Sequence, residues 1–184
     1  PSCIIAASWL NVFSIEWRLE EYNMEPMIDI QMSVNGQVVA ANVPPRQTLV
    51  DFLRYRLELT GSHVGCEHGS CGACTIRLNG DIVRGCLVLA VQADGAEVET
   101  IEGLSDSGEL ADLQATFHAH NALQCGYCTP GMLLTAQALL TDNPDPSREE
   151  IRAYLSGNYC RCTGYQAIVN AVESVATARN RAAS

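Results

Sequence analysis

The sequence is poor in basic residues and contains no cluster of them. Its 184 residues include 11 Lys and Arg against 21 Asp and Glu, which gives a formal net charge of −10 at pH 7. A protein that binds nucleic acid needs a basic patch to neutralise phosphates, so this balance argues against a nucleic-acid partner. The acidic excess is better explained as a solvated surface.

Long apolar runs are also missing. The most apolar stretch, residues 3–13, is interrupted by Ser8 and Asn11 and has no basic residue before it. It is too short to span a bilayer and lacks the charged start of a secretory signal. We therefore expect a cytoplasmic protein with no membrane span, a setting in which clustered cysteines are more often metal ligands or catalysts than disulfides.

Cysteine is what the sequence has in quantity. There are nine, an odd number that does not suit a closed set of disulfides, and Cys3 stands apart from the others as an ordinary thiol. The first group of four begins with the pattern C-x4-C-x2-C, which is the plant-type [2Fe-2S] ferredoxin spacing, and its last cysteine follows after eleven intervening residues. Zinc also accepts four thiolates and is the alternative, although it usually takes two C-x2-C pairs. This first quartet is Cys66, Cys71, Cys74 and Cys86.

A second group of four cysteines lies in the last third of the chain. It combines C-x2-C with a later C-x-C, a spacing that alone is less diagnostic and leaves zinc open. Both pairs precede predicted helices, and a helix N-terminus favours thiolates and a negatively charged cluster. The predicted ligands of this second quartet are Cys125, Cys128, Cys160 and Cys162.

The pattern of apolar residues divides the chain into a strand-rich part and a helical part. Alternating apolar residues that end at Asn35-Gly36, and again at Asn79-Gly80, predict two hairpins. Thr129-Pro130 fits an N-cap followed by proline at the first helical position, and Ser147 with Glu150 fits a capping box. We predict an α+β protein with strands over 27–34, 38–41, 75–78, 82–83 and 98–101, helices over 48–59, 110–119, 130–140, 148–155 and 166–178, and a boundary near 102–109.

Three segments around the cysteines, in the same order along the chain, point to a known family. The sequence resembles the small iron–sulfur subunit of the molybdenum hydroxylases, the xanthine oxidase and carbon monoxide dehydrogenase family, over about residues 27–175. The segments are Gly65-Cys66-Glu67-His68-Gly69-Ser70-Cys71-Gly72-Ala73-Cys74-Thr75, Gln124-Cys125-Gly126-Tyr127-Cys128-Thr129-Pro130-Gly131-Met132 and Gly157-Asn158-Tyr159-Cys160-Arg161-Cys162-Thr163-Gly164-Tyr165.

The resemblance implies a fold and a function. It implies a β-grasp plant-type ferredoxin domain over 27–102, a four-helix bundle domain over 103–184, and one [2Fe-2S] cluster in each. Electrons would pass from molybdopterin, usually the cytosine dinucleotide form in bacteria, through the second and then the first quartet to FAD. Gln124 matches a position that hydrogen-bonds the pterin, and the loop at Cys162 approaches the pterin from the same side. The alternative role for Gln124 is that of a helix-end residue that caps local backbone.

The resemblance also implies partners, because this chain binds neither of the other cofactors by any motif of its own. It has no Gly-x-Gly-x-x-Gly fingerprint, so a large subunit would hold molybdopterin and a medium subunit would hold FAD. The alternatives are a free two-cluster ferredoxin and a zinc-stabilised interaction module. Residues 1–26 have no counterpart in the family and are expected to form an extension, either an arm against a partner or a segment upstream of a start at Met24 or Met27.

Overall fold

A computed structural model describes residues 26–183, so the predictions made for Cys3 and for nearly all of the N-terminal extension lie outside the described residues. The strand-rich part forms one mixed five-stranded sheet in the order β2-β1-β5-β3-β4, in which only β1 and β5 run parallel. The strands are β1 (Ile28–Val34), β2 (Gln37–Val43), β3 (Thr75–Leu78), β4 (Asp81–Arg84) and β5 (Glu97–Glu99).

Both predicted hairpins are confirmed. Asn35 and Gly36 have positive φ angles of 50° and 79°, and Asn79 and Gly80 have 50° and 90°. Two successive positive φ angles make the tight turn whose twist matches that of the flanking strands, and Asn-Gly tolerates it best. The alternation in β1 buries its apolar side chains against the core of the sheet, and those side chains are Ile30, Met32 and Val34.

The helix that crosses the sheet is shorter than predicted. It begins at Leu49 with the Thr48 hydroxyl as its N-cap, continues as α1 (Leu49–Asp51), and widens into a π-helical turn (Phe52–Arg56). It ends there because the Arg54 guanidinium donates hydrogen bonds to the carbonyls of Thr60 and Ser62, both at 2.7 Å, which turns the chain back. The chain is thereby directed into the first cysteine loop.

The second part of the chain is helical. The strand predicted to reach Ile101 ends at Glu99, and the predicted boundary region instead forms a helix, because Ile101 and Leu104 are buried in the helical core. The other four helices lie close to their predicted positions. The helices are α2 (Ile101–Asp106), α3 (Ala111–Ala119), α4 (Thr129–Asp142), α5 (Arg148–Leu155) and α6 (Gln166–Ala183).

Two apolar cores organise these elements, one under the sheet and one between the helices. We call β1–β5 with α1 the sheet unit, and α2–α6 the helical unit. Arg77 on β3 joins them, since its guanidinium pairs with Glu99 at 2.6 Å and with Glu109 at 2.8 Å. None of the helices within 26–183 is both long and apolar enough to cross a membrane.

Candidate metal centre

The first quartet lies at one end of the sheet unit. Cys66, Cys71 and Cys74 belong to the loop that leads into β3, and Cys86 follows β4. Because β3 and β4 pair antiparallel, with Thr75 opposite Arg84, the hairpin returns Cys86 to the side of Cys74. Both of these thiols are buried, beside Val50.

Backbone donors surround the sulfur of Cys66. The N–H groups of His68 and Cys71 lower the pKa of the Cys66 thiol to about 6, and the Cys71 N–H lies 3.4 Å from that sulfur. Burial instead raises the pKa of Cys74 to about 11, and the neighbouring Cys86 thiol adds to the rise. The loop therefore supplies hydrogen-bond donors to the partly exposed Cys66 thiolate and excludes water from the buried Cys74 thiol.

The second quartet lies at the start of two helices. Cys128 immediately precedes α4, and Cys160 and Cys162 belong to the loop before α6. The sulfurs of Cys125 and Cys162 are 3.6 Å apart. Two thiolates bound about 2.3 Å from one tetrahedral metal stand roughly 3.8 Å apart, so this separation suits a shared metal and is far too long for a disulfide.

Cys128 and Cys160 of this quartet show the same contrast, one thiol with a raised pKa and the other with a lowered pKa. Burial raises the pKa of Cys128 to about 12, and the Cys160 thiol adds to that rise. Burial also opposes ionisation of Cys160, but the Thr163 hydroxyl at 3.1 Å and backbone N–H groups outweigh it and hold the pKa of Cys160 below its ordinary value. Metal binding has to displace the protons of the buried thiols.

Within each quartet the thiols affect one another's pKa values, most strongly in four pairs and also between them, since Cys71 acts on Cys74 and Cys125 acts on Cys128. The described cysteines form no disulfide. Between residues 26 and 183, no three His, Cys, Asp or Glu side chains converge as closely as a single metal ion requires. The pairs are Cys66 with Cys71, Cys74 with Cys86, Cys125 with Cys162, and Cys128 with Cys160.

One local prediction at this site is wrong. Thr129 is not the N-cap of α4, because the helix begins at Thr129 and Cys128 occupies the cap position. The Thr129 hydroxyl is buried and has no hydrogen-bond partner within the part of the chain that the structure describes. Pro130 in the first turn agrees with the prediction, since its missing N–H would have had no helical acceptor.

The two residues predicted to face the pterin lie together at an exposed edge. The Gln124 side-chain amide donates a hydrogen bond to the Cys162 carbonyl at 3.1 Å, and both residues are exposed. Gln124 therefore does not cap its own helix end, which was the alternative role for it. Its contact with a loop 38 residues away keeps it beside the exposed pair of thiols.

The residues that join the two cysteine loops were not predicted from the sequence. His63 stacks on Tyr127 with ring centroids 4.4 Å apart, and the Tyr127 hydroxyl donates to the Val64 carbonyl at 2.7 Å. Asn158 is fully buried between the sheet and helical units. The position of Tyr127 and Asn158 within the cysteine segments was the only available signal, because neither residue type indicates an interface.

Two family models match the chain, one for each quartet. A 2Fe-2S iron-sulfur cluster binding domain matches residues 32–104, and a [2Fe-2S] binding domain matches residues 100–173. Together they cover the sheet unit and most of the helical unit.

Named relatives match along most of their own length. The chain is 53% identical over 149 residues to caffeine dehydrogenase subunit gamma of Pseudomonas sp. strain CBB1, covering 79% of this chain and 89% of the relative. It is 54% identical over 145 residues to the nicotine 6-hydroxylase small subunit of Paenarthrobacter nicotinovorans, covering 79% and 87%.

A solved structure matches equally well. A chain of quinoline 2-oxidoreductase from Pseudomonas putida 86 superposes with a TM-score of 0.79 at 50% identity, over 84% of this chain and 97% of that one. Together with the two matched [2Fe-2S] domains, these similarities show that the chain belongs to the small iron–sulfur subunits of the molybdenum hydroxylases.

Proposed function

We propose that each quartet holds one [2Fe-2S] cluster and that the chain relays single electrons between redox centres in larger partner subunits. The pairing of the thiols is the observation that supports this assignment. A cluster with two irons takes its four thiolates two at each iron, whereas one zinc ion takes all four at a single point. Eight thiols that affect one another's pKa values within two separate quartets, most strongly as two pairs in each quartet, fit two binuclear clusters.

The surroundings of the thiols suit an anionic cluster. A cluster supplies acceptors at its sulfurs, and the Thr129 hydroxyl beside Cys128 is a buried donor that otherwise lacks an acceptor among the described residues. The N-terminus of α4 adds partial positive charge on the same side. When bound, the clusters supply reversible one-electron chemistry, and the chain's own residues hold them, donate to their ligands and limit access of water.

The domain division follows the two quartets. We assign a ferredoxin-like β-grasp domain to 27–102 and a helical domain to 103–184, with a boundary that falls in the first turn of α2, and we assign a four-helix bundle to α3–α6. Gln124 and Cys162 would face molybdopterin in the large subunit, and the first quartet would face FAD in a medium subunit. Free thiols throughout the described chain suit the reducing cytoplasm as the place of assembly.

The proposal commits to electron transfer and to no particular substrate. The relatives named above are subunits of a caffeine dehydrogenase and a nicotine 6-hydroxylase, and the superposed chain belongs to a quinoline oxidoreductase. An aldehyde oxidoreductase iron-sulfur-binding subunit of Escherichia coli strain K12 is also 40% identical. Small subunits of one kind thus serve different substrates, and we assign no catalytic role to any described residue of this chain.

Metal content and electron paramagnetic resonance test the proposal directly. Iron, molybdenum and zinc would be measured in protein purified with its co-eluting partners, and spectra recorded at low temperature after dithionite reduction. We expect about four irons per chain, two distinct rhombic signals and molybdenum in the same sample. Iron without molybdenum or partners would favour a free ferredoxin, and zinc without iron would overturn the redox assignment.

Removal of the Thr163 hydroxyl should change the midpoint potential of one cluster and leave that of the other unchanged. Thr163 donates from its hydroxyl and its N–H to the Cys160 sulfur, at 3.1 and 3.4 Å. Donors to a ligand sulfur stabilise the reduced, more negative state, so Thr163→Val should lower the midpoint potential of the helical-unit signal by about 40 mV, equivalent to a hydrogen bond worth about 1 kcal/mol.

The comparison variant is Thr141→Val, which removes a hydroxyl bonded to the Gln137 carbonyl within α4. Potentiometric titration of both signals should show a shift in Thr163→Val only, and only in one signal. An equal shift of both signals would mean that Thr163 does not act through Cys160.

A further inference from the structure

The two cysteine loops are joined directly through their backbones. The Tyr159 N–H donates a hydrogen bond to the Cys71 carbonyl at 2.8 Å. Cys71 belongs to the first quartet, and Tyr159 is bonded to Cys160 of the second. A route of covalent bonds and one hydrogen bond therefore runs from a thiol of one quartet to a thiol of the other.

A buried asparagine holds that contact in place. Asn158 is 1% exposed, and its side-chain N–H groups donate to the Gly72 carbonyl at 3.1 Å and to the Thr75 hydroxyl at 3.3 Å. Its side-chain oxygen accepts hydrogen bonds from Thr135 at 3.0 Å and from Arg84 at 3.2 Å. Both donors and both acceptor positions of the amide are therefore used, and three of the four partners belong to the sheet unit.

Arg84 of the sheet unit stabilises the same contact. Its guanidinium donates to the Gly157 carbonyl at 2.8 Å and to the Thr75 hydroxyl, which lies next to Cys74 in the chain. We call Thr75, Arg84, Thr135 and Asn158 the polar latch. A buried polar network with every partner satisfied selects one geometry, because any other arrangement leaves buried groups unpaired.

The helical side of the latch reaches the second quartet. The Asn158 carbonyl accepts a hydrogen bond from the Tyr165 hydroxyl at 3.1 Å, and that hydroxyl accepts one from the Cys160 N–H at 2.9 Å. Close packing fixes the separation as well, since a Cβ at Gly131 would lie 2.3 Å from the Gly72 carbonyl oxygen. The first cysteine loop is therefore packed directly against α4, and the hydrogen bonds hold the two loops together.

We propose that the polar latch positions the two cysteine loops against each other and thereby sets the rate of electron transfer between the clusters. This inference rests on the proposed function. With both clusters bound, the step concerned would move one electron from one cluster to the other, so that one would be oxidised and the other reduced, with no proton moved and no bond broken. Asn158 and Arg84 are positioning residues, since they act on the loops and bind neither cluster.

Asn158→Leu tests the proposal, in the full chain assembled with its partner subunits. Leucine has a similar shape and makes none of the four hydrogen bonds. We expect unchanged iron content and two signals, a weaker magnetic interaction between the reduced clusters, and intercluster transfer slowed by roughly ten-fold, the kind of loss that small misplacements cause in geometry-dependent steps. Asn158→Asp keeps the acceptor oxygen facing Arg84 and Thr135 and should have an intermediate effect.

Asn170→Leu is the matched control, because Asn170 is hydrogen-bonded within the helical unit and contributes nothing to the latch. It should change neither the magnetic interaction nor the rate. Asn158→Leu with full iron and an unchanged interaction and rate would overturn the inference. Should that variant fail to assemble, Arg84→Met decides the matter by the same two measurements, whereas missing iron in the unaltered chain would contradict the proposed function instead.

Discussion

Replacement of Cys160 by alanine should remove one cluster and spare the other. Cys160 pairs with Cys128, and the described interactions of the second quartet include no thiol of the first. A [2Fe-2S] cluster that loses one of its four thiolates is left with an open iron site. We therefore expect about half of the iron and one of the two rhombic signals to be lost.

The reciprocal variant, Cys86→Ala, provides the control. Cys86 is buried beside Cys74 in the first quartet. Its loss should remove the signal that Cys160→Ala spares, while the other signal remains. Iron analysis and low-temperature spectra of both variants, with circular dichroism to verify the fold, make the comparison. Loss of both signals, or of neither, in both variants would show that the cysteines are grouped incorrectly.

Gly72→Ala should weaken the whole protein, out of proportion to one added methyl group. Gly72 has a φ of +74°, and a Cβ there would lie 2.5 Å from the Gly157 carbonyl oxygen and 2.7 Å from the Asn158 side chain. The left-handed backbone costs an alanine about 1 kcal/mol, and the clash with a backbone atom adds roughly 2 kcal/mol. For a protein of this size, about 3 kcal/mol corresponds to a fall of roughly 6–12 °C in the thermal unfolding midpoint.

Gly95→Ala separates the two contributions. Gly95 has nearly the same backbone conformation, with φ +73°, but a Cβ there meets nothing within 4 Å. Its midpoint should fall by only about 2–4 °C, because only the backbone cost applies. Thermal unfolding followed by circular dichroism and by the visible absorption of the clusters gives both values. Equal falls of the unfolding midpoint in the two variants would mean that the segments at Gly72 and Gly157 can separate without loss of stability.

Features governed by neighbouring residues were open to prediction from the sequence. The Asn35-Gly36 and Asn79-Gly80 hairpins follow from the conformations that Asn and Gly tolerate, and the Ser147 capping box is confirmed by mutual hydrogen bonds with Glu150. The two cysteine groups were also recognisable, because ligand spacing in a loop is itself a local property. The matched family models cover the same two regions.

Features governed by distant contacts were misjudged or missed. The helix predicted over 48–59 ends early because Arg54 bonds to carbonyls beyond it, and the strand predicted to reach Ile101 gives way to a helix buried in the second core. Thr129 was taken for an N-cap on residue type alone, whereas the structure gives that position to Cys128. In the first two cases tertiary contacts outweighed a local preference worth about 1 kcal/mol or less, whereas no contact among the described residues accounts for the position of Thr129.

The amino-acid sequence by itself predicts which eight thiols belong to two quartets, because spacing along a loop limits which sulfurs can meet. It did not specify which thiol lies against which, nor that Asn158 and Arg84 hold the two loops together. Those contacts join residues 73 to 86 positions apart and depend on how the sheet and helical units pack. The composition of the chain thus indicates its redox chemistry, whereas the distance over which electrons pass is a property of the packed interface.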